Sequence, residues 1–217
     1  MPIVAWTITA MALPIAINAQ EARTTRAESK MMKMDQAQVD RLIQSWPEKS
    51  LAAAKATMEK YGAPQEATAS MLVWHNNGPW KCTVVSNKPI QHDWPNSHQD
   101  VMEQAIDYKV PPEMFDDLAQ FDGSVMVERT KGEISARCEK ELANFLALNL
   151  AHEIVTGKRD VASARREYEK QITAVLNKES APLTEKLMFQ PPRMAQGDPD
   201  KTTIDPARTP VRAEEKQ

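Results

Sequence analysis

Imidazole and carboxylate side chains crowd one part of this chain. His75 stands beside Asn76-Asn77-Gly78, and His92, Asp93, His98 and Asp100 follow soon after. Such side chains hold zinc or another divalent ion when a fold brings three of them together and leaves one position open. The set His75, His92, Asp93 and His98 would then support a metal-dependent hydrolase. Its spacing matches no established ligand pattern, and polar residues in turns commonly bond only their own backbone. A second candidate, His152-Glu153, opens like a helical metalloprotease motif, but Thr156 stands where the second His belongs. His152 shares a helix face with Phe145, Leu148 and Asn149 and reads as a hydrogen-bonded histidine at the core boundary. Asp116, Asp117 and Asp122 read as the solvated end of a helix. No Gly-rich phosphate loop, G-x-S-x-G elbow or CxxC is present. No cofactor is expected.

The elements that would position these residues begin with Cys138–Gly157, the densest apolar run outside the first twenty residues. It reads as a central helix covered on most sides, stopped by Gly157. Two amphipathic helices precede the first hairpin, one capped by Asp35 and one entered at Pro47 and ended by Gly62. Met71–Ser86 turns at Asn76-Asn77-Gly78 as a β-hairpin. Trp74 and Trp80 fall on one face of it, as a buried cross-strand pair or, with His75, as an exposed ligand platform. Asn87–Asn96 reads as a loop, and Ser97–Tyr108 as a helix capped by Ser97. A short helix over 112–121 leads to a second hairpin, 124–138, and an amphipathic helix capped by Asp160 closes the fold. The order helix, hairpin, helix thus occurs twice, as a pseudo-repeat. The expected fold is α+β: two β-hairpins in a four-stranded antiparallel sheet covered by helices.

Residues 1–20 carry no charged side chain and end in small residues, as a signal peptide does, and 21–34 read as a linker. One domain then spans 35–180. The stretch 181–217 contains six of the chain's 15 prolines and reads as a disordered tail. With 27 basic and 30 acidic side chains and a net charge of -3, the chain lacks the basic footprint of a nucleic-acid-binding protein. No membrane span is expected once the leader is removed. Cys82 and Cys138 allow one disulfide at most, and buried free thiols are the favoured reading. The strings WHNNGPW, IDYKVPPEMFDDLAQFDGSVMVERTKGEISARC and NFLALNLAHEIVTGKR resemble a group of uncharacterised bacterial proteins over roughly 44–159. That resemblance implies no activity and carries over no functional residue. The function expected is that of a small, exported, non-enzymatic binding or accessory module with a protein or small-ligand partner. The alternatives are the metal-dependent hydrolase and a cytoplasmic protein made from an internal start at Met31 or Met34.

Overall fold

The computed structural model describes residues 33–192 and 200–204. The leader therefore lies outside the described residues, as does the linker before Lys33. Asp35 caps α1 (Gln36–Ile43), its carboxylate accepting the Gln38 N–H at 3.0 Å. Helix α2 (Glu48–Tyr61) follows Pro47 and stops at Gly62, whose φ of 77° suits glycine. The strands β1 (Glu66–Ala67), β2 (Met71–Asn77), β3 (Trp80–His92) and β4 (His98–Asp107) come next. After a 3-10 turn at Pro112–Met114 come α3 (Phe115–Phe121), the hairpin β5 (Val125–Glu128) and β6 (Glu133–Cys138), then α4 (Glu141–Val155) and α5 (Val161–Leu176). Among the described residues, no helix is long and apolar enough to cross a membrane.

The fold is α+β, but the sheet has six strands rather than four, all antiparallel, in the order β1-β2-β3-β4-β6-β5. The extra strands are β1 and β4. Ser97–Tyr108, expected as a helix, is β4, so the helix-hairpin-helix pseudo-repeat is not present. The loop expected at Asn87–Asn96 is mostly the far end of β3. Gln104 explains the misreading of β4. Met102, Gln104 and Ile106 alternate inward with Glu103, Ala105 and Asp107 outward, but a polar residue in the inward row hides the period of two.

Register places Leu72, Val85, Met102 and Cys138 in one inward row and Trp74, Thr83, Gln104 and Ala136 in the next. Over these rows α1 and α2 form one core with Trp74, Leu72 and Val85, while α3, α4 and α5 form the other with Trp80, Ile106 and Ile134. Trp74 and Trp80 are both buried but in different cores, so neither belongs to an exposed platform. Trp74 donates its indole N–H to the Gly62 carbonyl, whereas Trp80 stacks on Phe145. Cys82 and Cys138 are free thiols. They lie on β3 and β6, which β4 separates.

The packed chain continues past Ser180. Ala181 and Thr184 are buried, and Leu183, Leu187 and Phe189 pack on the α4–α5 core. The start of the expected tail is thus packed against the core through Phe189, because these apolar side chains find a surface on α4. Phe189 stacks on His152 with ring centroids 4.1 Å apart, and the Tyr108 hydroxyl is hydrogen-bonded to His152 Nδ1 at 2.7 Å. Burial holds the His152 pKa below its ordinary 6.5; Glu153 opposes this and Lys158 adds to it. The unfolded chain therefore binds a proton that the folded chain rejects, so this contribution is present in full above about pH 6.5 and is lost as pH falls below it. Chemical denaturation from pH 7.5 to 5 should show the wild type losing stability relative to His152→Phe. A difference constant with pH would contradict this. Glu153, next in sequence, is paired with Lys158 and Arg159 at the end of α4.

Candidate metal centre

Strand register builds the histidine site. β3 and β4 are joined by the short loop 93–97, and His92 and His98 are direct cross-strand partners with ring centroids 4.9 Å apart. Asp100 follows two residues along β4, on the face of His98, because strand side chains alternate. A register shift between Val85 and Ile90 separates this end of the hairpin from the regular ladder. Trp94, in the connecting loop, fastens the hairpin end against α5. Its ring lies 4.6 Å from that of Tyr168, and the Arg165 guanidinium sits 3.9 Å above it. After α3 the chain brings Asp122 and Ser124 into the same place.

The ligand atoms of His92, His98 and Asp100 all lie within 4.8 Å of one another. Asp100 is 5% exposed. Its Oδ2 accepts the Ser124 hydroxyl. Its Oδ1 lies 3.2 Å from His98 Nε2, a charge-assisted contact. His98 Nδ1 is 2.8 Å from the Asn96 carbonyl and must donate to it, which turns Nε2 toward Asp100. Such a backbone contact also fixes the tautomer of a metal-bound imidazole. His92 is held loosely. Its Nδ1 is 3.2 Å from Ser124 Oγ and 3.6 Å from Asp100, and its Nε2 is 3.8 Å from Asp122.

Electrostatics concentrates charge here. Asp100, then the Cys138 thiol, push the His98 pKa up to about 11, against burial. Burial raises the Asp122 pKa, opposed by the Ser124 backbone N–H and by His92. Two imidazoles and the carboxylates of Asp100 and Asp122 thus face one place, where a cation could sit. In a tetrahedral zinc site neighbouring donor atoms are about 3.4 Å apart. The 4.8 Å spread of the cluster is wider than that, and His92 is the more loosely held of its imidazoles. His98 and Cys138 also line a recess of about 100 Å³ walled by Tyr168 and Leu142.

Ser124, His92 and Asp122 have the order of a nucleophile, base and orienting acid. The serine is buried, however, and its hydroxyl is donated to Asp100, so it is not poised for attack. Among the residues singled out from sequence, His92, His98 and Asp100 are brought together. His75 is on β2, exposed and paired with Glu66 at 2.5 Å, and has no part in the cluster. Asp93 binds Gln91 and Ser97, a turn carboxylate bonded to its own loop. Asp122, read as a solvated helix end, is 4% exposed and faces His92. Asp122 and Ser124 join from beyond α3, and nothing local in the sequence announces it. No family model matches this chain, and neither the curated proteins nor the solved structures contain a match.

Proposed function

We propose that this protein binds a divalent transition metal of the zinc class, with His92, His98 and Asp100 as ligands and Asp122 beside them. The observation that carries the reading is the buried Asp100 carboxylate on which the imidazoles of His92 and His98 converge. Two nitrogens and an oxygen suit zinc or its neighbours better than calcium or magnesium. A three-ligand site with a recess beside it has the form of an open centre rather than a closed structural one. Asp93 and His75, which the sequence suggested as ligands, are not needed.

Calorimetric titration of metal-stripped full-length protein with Zn²⁺ should give saturable binding of one ion per chain. His98→Ala and Asp100→Asn should each weaken it by at least roughly tenfold, while His75→Ala leaves it unchanged. Absence of uptake, or equal loss in the His75 and His98 variants, would reduce the cluster to an ion pair that fastens the end of the β3–β4 hairpin.

A further inference from the structure

Away from the histidines, α2 and the start of α4 stand apart over β4 and leave a cleft of about 370 Å³. This volume lies at the small end of ligand pockets, with room for roughly 10–20 non-hydrogen atoms. Small side chains open it: Ala52, Ala53 and Ala56 form the α2 wall, and Met102 lies in the floor. The polar groups of the floor and inner wall are already occupied. Gln104 donates to Thr83 and Glu141 and accepts from Asn144, and Glu141 accepts from Tyr61, Trp80 and Gln104. Thr57 donates its hydroxyl back to Ala53. A ligand body therefore meets an interior with little left to hydrogen-bond.

The rim is different. Lys49, Lys60 and Lys140 line it against two carboxylates, Glu139 and Glu141, which leaves one positive charge in excess. Lys49 pairs with Glu139 at 2.8 Å and Lys60 pairs with Glu141, whereas Lys140 reaches Glu139 only at 3.8 Å, so the excess charge rests chiefly on Lys140; all three side chains are half to two-thirds exposed. Lys140 also begins α4 without a side-chain cap, so the positive end of that helix opens on the same rim. The geometry points to a site for a small amphipathic monocarboxylate, a medium-chain fatty or aryl acid. Its acid group lies among Lys49, Lys60 and Lys140, and its apolar body lies along the alanine wall and Met102.

The test uses full-length protein and three probes of matched length: octanoate, octanol and octylamine. Octanoate should bind saturably and at least roughly tenfold more tightly than octanol, and octylamine weakest, because only the acid complements the rim. Ala56→Trp, a change at an exposed helical position that fills the cleft, should abolish octanoate binding while leaving the melting temperature within a few degrees. Lys140→Glu should weaken it several-fold. Tighter binding of octylamine, equal binding of all three probes, or octanoate binding that survives Ala56→Trp would overturn the proposal. The cleft shares no residue with His92, His98 or Asp100, so its failure and that of the metal site are separable by His98→Ala, which should leave octanoate binding intact.

Discussion

Ending the chain after Ser180 should lower the melting temperature by roughly 10–20 °C. The removed stretch contributes Ala181, Leu183, Leu187 and Phe189 to the core on α4 and α5. It also supplies three hydrogen-bond partners of the Asn149 amide, a helix side chain only 2% exposed. Asn149 Nδ2 donates to the Leu183 and Lys186 carbonyls at 2.9 and 2.8 Å, and its Oδ1 accepts the Met188 N–H at 2.7 Å. Truncation exposes the apolar surface under these side chains and strips the amide of its partners, for a loss on the order of 4–5 kcal/mol. Thermal unfolding of chains ending at Ser180 and at Pro192 decides the point. The longer one should match the full chain, and equal stability of all three would mean that the segment contributes nothing.

Replacing Glu141 by Ala should cost about 3 kcal/mol, and replacing it by Gln about half of that. The Glu141 carboxylate lies at the start of α4 and gathers Tyr61 at 2.5 Å, Trp80 Nε1 at 2.6 Å, Gln104 at 3.2 Å and Lys60. These donors come from α2, β3 and β4, so one side chain ties both helices to the sheet. Burial acts to raise its pKa, but the hydrogen bonds from Lys60, Tyr61 and Trp80 outweigh burial and hold it below the usual carboxylate range. A depressed carboxylate pKa means that its contribution is present above pH 4.5 and is lost as pH falls further. Alanine leaves the Trp80 indole N–H, the Tyr61 hydroxyl and the Gln104 amide without an acceptor, whereas glutamine keeps one oxygen for them. Urea unfolding at pH 7 measures both losses. An alanine variant within about 0.5 kcal/mol of wild type would show that solvent replaces the carboxylate, as it does for surface pairs.

The histidine site divides into parts that were legible and parts that were not. His92, His98 and Asp100 stand out by residue type, and their convergence follows from a five-residue connection once β4 is taken as a strand. The inward Gln104 concealed that strand, because an amide breaks the apolar alternation by which strands are recognised. Gln104 is tolerated inside only because Thr83, Glu141 and Asn144 satisfy it, and they come from another strand and from α4. The burial of Asp122 and the partners of Asn149 are hidden in the sequence for the same reason. A carboxylate near a helix end and an amide in an apolar stripe have ordinary local explanations, and their partners lie on distant segments.

The sequence by itself determined the local events. Asp35 and Asp160 cap their helices, Gly62 and Gly157 end theirs at φ values of 77° and 72°, and the first hairpin turns at Gly78-Pro79, one residue beyond the expected Asn76-Asn77. Each depends on the backbone preferences of a few consecutive residues, which do not change with the rest of the fold. Tertiary structure alone decided that β4 is a strand, that the chain is packed through Phe189, and that Asp122 and Ser124 meet two histidines from another hairpin. Those outcomes depend on which buried polar groups find partners across the sheet, and burying such a group without one costs more than a local preference supplies.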